Sequence, residues 1–253
     1  MTNAPAFSPL RLAIVACPRS GTRYTASLLQ ALHVGCGHEL VAVAETGLVV
    51  PPRMPPLVAD ASWLLVPFLG RVEDAGVSIA MQVRHPLRAI PSIARRGLLE
   101  LEGNRLDRST LAGAFGSFAR RYCPRALEGR TPLERAALFW VYWNRSILAA
   151  APAIRIQVED LKPGELIRLA ELAGAQVSLE EAGAALAFAP RDLNRSRAAP
   201  PSLAWSDLGA AEGEVRGLAD LLGYGAASAA PARGGMVCRL GDAAGSISGG
   251  PAA

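Results

Sequence analysis

The stretch "RLAIVACPRSGTRYTASLLQALHVGCGHE", Arg11 to Glu39, decides the fold. Its segment Leu12–Ala16, "LAIVA", is a short unbroken apolar run of the kind that forms a strand buried on both faces. Pro18 and Gly21 then punctuate the chain, and from Arg23 to Leu32 the apolar residues return at helical spacing. A strand that turns sharply into a helix leaves the first helical amides without internal partners and places the positive end of the helix dipole beside them. Such a place receives oxyanions. Here Ser20, Gly21, Thr22 and Arg23 supply amides, Ser20 and Thr22 add hydroxyl donors, and Arg19 adds a fixed cation. The same residue types also begin an ordinary capped helix, so the loop needs support from elsewhere in the chain.

Working outward, two further strands are expected at Ser78 to Arg84 ("SIAMQVR") and Ile154 to Glu159 ("IRIQVE"). Helical patterns occupy Pro56 to Leu69, Leu111 to Tyr122, Pro132 to Ala150, Gly164 to Ala173, Leu179 to Phe188 and Ala211 to Leu222. Short apolar strands separated by helices predict an α/β fold, a central parallel sheet covered by helices on both faces. The expected domain runs from residue 1 to 225. Beyond it, residues 226–253 turn to alanine, glycine and serine with few large apolar side chains, the composition of a flexible tail.

A chain of 253 residues with 51% hydrophobic content is long enough for one full core. Its net charge of +4 is modest, and Lys162 is its only lysine. Nucleic-acid binding is therefore not indicated. The arginines matter locally, because a planar guanidinium grips phosphate-like oxygens with two prongs where an ammonium offers a point charge. Cys17, Cys36, Cys123 and Cys238 are too scattered for a metal-ligand spacing or a disulfide framework. "MTNAPAFSPLR" lacks a signal-peptide pattern, and no apolar run is long enough to span a bilayer, so a cytoplasmic protein is expected.

Three readings of the loop compete. A nucleoside-triphosphatase loop needs Gly-Lys-Ser/Thr, and the lysine is absent. Cys17 and Arg23 in "CPRSGTR" stand at the Cys-x5-Arg spacing of a thiolate nucleophile and its phosphate-cradling arginine, which resembles the protein tyrosine phosphatase loop. Pro18 removes a cradle N–H, however, Tyr24 replaces the usual hydroxyl residue, and no loop offers an Asp as general acid. In the third reading "PRSGT" holds the 5′ end of a nucleotide that ends in a sulfuryl group. Arg19 then neutralises the oxygen left behind as the bond to sulfur breaks. That reading calls for a second anion site, because the common donor, 3′-phosphoadenosine 5′-phosphosulfate (PAPS), carries another phosphate on its ribose.

"MQVRHPLRAIPSIARR" fits the demand. Arg84 closes a strand, Pro86 suits the first helical position, and Ser92 follows about two turns into the helix. "PRSGT" and "VRHPLRAIPS" together resemble the 5′-phosphosulfate and 3′-phosphate signatures of the sulfotransferase family. The segment from Phe139 to Gly174 resembles that family's Trp/Asn-bearing helix, its strand ending in Glu-Asp-Leu and the helix after it, and "LLGY" at Leu221 to Tyr224 resembles its close. The resemblance spans roughly residues 11 to 225. It implies a P-loop NTPase-like three-layer sandwich and transfer of a sulfuryl group from PAPS to an acceptor hydroxyl or amine, with no metal required.

On this resemblance Arg19, Ser20, Gly21, Thr22 and Arg23 hold the phosphosulfate, and Arg84 and Ser92 hold the 3′-phosphate. The proton acceptor is Glu39, as in tyrosylprotein-type and several bacterial members, with His38 as second choice. Pro91 departs from the pattern and is expected to break the helix begun at Pro86, shifting Ser92. Arg195 and Arg197 in "RDLNRSR" are candidates for a basic loop over the 3′-phosphate. Trp63, Phe139, Trp140, Tyr142 and Trp143 read as core, whereas Asn144 and Arg145 are candidates for the cleft. A non-catalytic nucleotide-binding module stays open beside the enzyme and phosphatase readings. The acceptor, whether carbohydrate, lipid, peptide or small phenol, is not legible, since the stretch from Leu40 to Val77 carries no recognisable motif. Oligomeric state is equally silent.

Overall fold

The first strand, β1 (Leu12–Ala16), is buried at every position and lies in the middle of the sheet. It owes that place to a sequence with no polar face to turn outward. The computed structural model describes residues 10–53, 56–97, 99, 111–188 and 203–225. Within them, β1 continues through a tight loop into α1 (Thr22–Ala31), then β2 (Cys36–His38) and a small antiparallel hairpin of β3 (Ala42–Ala44) and β4 (Gly47–Val49). Next come β5 (Ala59–Ser62), α2 (Leu69–Asp74), β6 (Ser78–Val83) and α3 (Pro86–Ala94). The chain is completed by α4 (Leu111–Tyr122), α5 (Pro132–Ala149), β7 (Ile154–Gln157), α6 (Pro163–Leu172), α7 (Leu179–Phe188) and α8 (Glu212–Leu221).

The main sheet has the order β2-β5-β1-β6-β7, and every pairing in it is parallel. Successive side chains of a strand point to opposite faces, and β1 shows the consequence. Leu12 and Ile14 join one buried cluster with Leu28 and Leu29 of α1 and Leu166 and Leu169 of α6. Ala13 and Val15 join another with Ile90 of α3, Phe139, Trp140 and Trp143 of α5, and Val215 and Leu218 of α8. Helices therefore cover both faces, giving the three-layer α/β architecture expected. Replacing a fully buried Ile14 by Ala is expected to cost about 2–5 kcal/mol.

Helix α5 is the longest described, and its start is fixed by local chemistry. Thr131 Oγ1 accepts from Glu134 N at 3.1 Å, Glu134 Oε2 accepts from Thr131 N at 3.3 Å, and Pro132 fills the first turn, where its missing N–H is no loss. Three of its aromatic residues are core, as their spacing predicts: Phe139 and Trp140 are fully buried, and Trp143 packs against Trp63 and Phe139, whereas Tyr142 is only partly buried with Arg125 over its ring.

The structure corrects the sequence reading at three places. The helix expected over Pro56 to Leu69 is instead the strand β5, a 3-10 turn at Val66–Phe68 and the start of α2. The small residues Ala59, Asp60, Ala61 and Ser62 are held extended by pairing on both sides, to β1 and to β2, which overrides local preference. Strand β2 was not anticipated either, since "CGH" offers no β-branched residue. Finally, α3 runs through Pro91, so the expected break does not occur. Pro91 forfeits one bond, but its carbonyl still accepts from Arg95 N at 3.2 Å and the residue is buried.

Candidate functional site

Strand order reverses at β1, with β5 and β2 on one side and β6 and β7 on the other. In open parallel sheets the crevice beyond the carboxyl ends of such strands is where ligands sit. The loop after β1 and the segment after β6 both open there.

In the first loop, Ser20 N donates to Cys17 O at 3.2 Å, closing a turn. Arg19 and Gly21 both have positive φ, 69° and 87°. Backbone that changes hand from residue to residue is the geometry in which consecutive N–H groups make an anion-binding concavity. Left-handed backbone costs a non-glycine residue about 1–2 kcal/mol, and strain of this kind collects at functional sites. Gly21 is also constrained by space, because a Cβ there would lie 2.9 Å from Val158 Cγ2. Ser20 is 1% exposed, and among the described residues its hydroxyl has no hydrogen-bond partner. Its carbonyl accepts from Gln82 Nε2 at 2.6 Å, while Gln82 Oε1 is buried without a partner.

The two arginine-bearing segments are joined directly. Arg19 Nε donates to Ser92 Oγ at 2.9 Å, and Arg84 Nη1 donates to Arg19 O at 2.9 Å. Arg84 and Ser92 thus meet on opposite ends of Arg19 rather than on one another. Burial, together with repulsion from Arg96, Arg84 and Arg95, lowers the pKa of the Arg19 guanidinium. A half-buried cation crowded by three others is a locus that an anion relieves. Arg23, by contrast, is exposed on the opening turn of α1.

Arg84 is braced from behind. Its Nε lies 3.9 Å from Glu159 Oε1, which also accepts from His85 N at 3.0 Å, and Tyr224 donates its hydroxyl to Glu159 Oε2 at 3.0 Å. His85 caps α3 by accepting from Leu87 N at Nδ1, and its ring lies edge-on to Tyr224 at 5.2 Å. Glu159 was not singled out by sequence. Its only signal was the Glu-Asp-Leu run closing a strand.

On the other flank, the end of β2 brings His38 and Glu39 to the loop. Thr22 Oγ1 and His38 Nε2 share a hydrogen bond of 3.0 Å, and His38 Nε2 lies 3.7 Å from Glu39 Oε1. Burial and the nearby Arg23 lower the His38 pKa. Burial first, and the neighbouring carboxylate of Asp60 second, raise that of Glu39, while a hydrogen bond from Trp63 and the charge of Arg19 pull it back. Of the two residues expected as proton acceptors, His38 is therefore linked to the loop by Thr22, and Glu39 lies beside His38.

Other candidates fall elsewhere. Asn144 is buried and donates back to Trp140 O at 2.8 Å, and Arg145 pairs with Glu214 on the surface at 3.1 Å. Cys17 is wholly buried in the core, and burial raises its thiol well above the ordinary value. Arg195 and Arg197, the residues 226–253 and Cys238 lie outside the described residues. Among the described residues no group of three or more His, Cys, Asp or Glu is placed to hold a metal ion, and no helix is long and apolar enough to cross a membrane.

No family model matches the chain, and no curated protein matches it. Among solved structures it is similar to mouse sulfotransferase SULT7A1 complexed with PAP, with 15% identity over 80% of this chain and 76% of that one and a TM-score of 0.37. A likeness that loose fixes neither ligand nor activity, and the chemistry has to come from the side chains.

Proposed function

We propose that the chain is a P-loop-type sulfotransferase that moves a sulfuryl group from PAPS to an acceptor hydroxyl or amine, using residues 1–225 as one catalytic unit. The observation that supports the reading is the Arg19 junction: Ser92 bonded to its guanidinium and Arg84 to its carbonyl bring the loop after β1 and the segment after β6 side by side. The donor set suits a doubly phosphorylated nucleotide. It comprises guanidiniums, hydroxyls and the opening amides of α1, with a buried Ser20 hydroxyl that finds no partner among the described residues.

When bound, PAPS supplies the transferable sulfuryl group and a stable bisphosphate leaving group. The chain's own residues do the rest. Ser20, Gly21, Thr22 and Arg23 orient the 5′ end, and Arg19 stabilises the charge that grows on the departing oxygen. Arg84 and Ser92 hold the ribose phosphate. Glu39, with its pKa raised by burial and by Asp60, accepts the acceptor's proton; His38 is the second candidate for that role. The reading places the protein in the cytoplasm with a hydroxyl-bearing carbohydrate, lipid, peptide or small molecule as acceptor, and without nucleic acid.

The phosphatase alternative is not favoured. A thiolate nucleophile needs a lowered pKa and access to the cradle, and Cys17 has neither. Calorimetry with adenosine 3′,5′-bisphosphate tests the proposal. Uptake is expected, and Arg19→Ala combined with Arg84→Ala is expected to abolish it. No uptake by the wild type, or uptake that survives both changes, ends the reading.

A further inference from the structure

We propose that Asp60 is the positioning residue of Glu39: its carboxylate, reaching across from β5, clamps the turn that presents Glu39 to the Arg19 loop. The inference rests on the reading of Glu39 as the proton acceptor and goes beyond it by naming what holds that acceptor in place.

Asp60 sits in mid-strand between β2 and β1 and is fully buried. A buried carboxylate is costly unless hydrogen-bonded, and here both oxygens are engaged. Oδ1 accepts from Leu40 N at 3.2 Å and Oδ2 from Val41 N at 3.3 Å, the two amides that follow Glu39. Glu39 itself has φ of 57°, a left-handed backbone unusual for glutamate, and donates its N–H to Ala61 O at 3.2 Å. Gly37, which pairs with Asp60 in register, makes room for the carboxylate, because a Cβ at Gly37 would lie 2.5 Å from Asp60 Oδ1. A glycine before, a strained residue at the turn and two gripped amides after it all serve one carboxylate.

The groups facing this pair come from four segments. Asp60 faces Glu39 and the Cys36 thiol; Glu39 faces Asp60, His38, Trp63 and Arg19; and Arg23 faces His38. Asp60 therefore acts on Glu39 in two ways, through the backbone it fixes and through its charge, which opposes ionisation of Glu39.

The test uses the full chain and Asp60→Asn, which keeps the shape and removes the charge and one acceptor. Adenosine 3′,5′-bisphosphate affinity is expected to stay within about twofold, while turnover falls by roughly ten- to a hundredfold, as for other small misplacements of a reacting group. The acceptor KM is expected to change less than kcat, and the acid limb of the pH profile to move to lower pH. Unchanged turnover with an unmoved limb overturns the proposal. So does a turnover loss that only tracks lost folding or lost bisphosphate binding.

A wild-type measurement covers the case in which the variant does not fold. Carboxyl carbon and amide NMR titrations should show the Leu40 and Val41 amides following the Asp60 midpoint, near 6, with Glu39 showing an inflection at the same pH. A Glu39 curve blind to Asp60 overturns the proposal whether or not transfer is detected. If instead the coupling is present but Glu39→Gln transfers normally, the assignment of Glu39 as proton acceptor is what fails, and the positioning role falls with it.

Discussion

The Nε of Arg19 donates to the hydroxyl of Ser92 at 2.9 Å across 73 residues of sequence. This one bond ties the loop after β1 to the second turn of α3. Removing either partner should be felt in nucleotide binding. Arg19→Ala is expected to weaken adenosine 3′,5′-bisphosphate binding by about a hundredfold or more, the loss of about 3 kcal/mol of charge-assisted bonding, and Ser92→Ala by about tenfold. Calorimetry checks both, and equal affinities for the two variants and the wild type would sink the pocket.

Glu159 connects Arg84 to Tyr224. Tyr224→Phe removes one buried hydrogen bond and should cost about 1 kcal/mol in urea unfolding. Glu159→Gln should cost more and also lower bisphosphate affinity, because Arg84 and His85 lose the carboxylate that holds them in place. A Glu159→Gln protein with wild-type affinity would separate the brace from the pocket.

Burial lifts the Asp60 carboxyl from 3.8 to about 6, against the pull of the Leu40 and Val41 amides. Between those two values the folded chain binds the proton more tightly than the unfolded one, so stability falls as pH rises through the window. The difference of about two pKa units corresponds to about 3 kcal/mol. Urea unfolding of wild type and Asp60→Asn at pH 4 and pH 7 should show the wild type losing roughly that amount relative to the variant. A pH-independent difference would mean that Asp60 is ionised and stabilised from the start.

Cys17 separates the two chemistries that share the loop. Cys17→Ser is expected to keep bisphosphate binding and sulfuryl transfer, while Glu39→Gln lowers transfer by about a hundredfold or more. Native Cys17 should resist alkylation until the chain unfolds, since its thiol is buried and held protonated. A phosphate-ester hydrolysis abolished by Cys17→Ser would reverse the assignment.

Much of this was legible in the residues, for reasons that can be stated. β1 could be read because both its faces are apolar, and α5 because its aromatic residues recur at helical spacing. β5 could not, because "ADAS" becomes a strand only through neighbours on either side, and a pairing partner leaves no mark in a short window. Asp60 was hidden for the same reason: a carboxylate is ordinarily solvated, and only the strand assignment reveals that it is buried. The order of Arg19, Arg84 and Ser92 along the chain pointed to one ligand, but not to Arg19 standing between the other two. Asn144 and Arg145 were ambiguous in sequence, since helix periodicity fixes a face without saying whether that face meets a cleft or a neighbouring helix.

The clasp of Tyr224 on Glu159 bears on how the molecule is made. During synthesis the loop after β1 leaves the ribosome early, whereas Tyr224, which bonds the carboxylate behind Arg84, lies near the end of the last described segment. A nascent chain arrested a few codons short of that tyrosine would already contain Arg19 and Arg84 while lacking this brace. The brace behind Arg84 is thus completed only after α8 has been made.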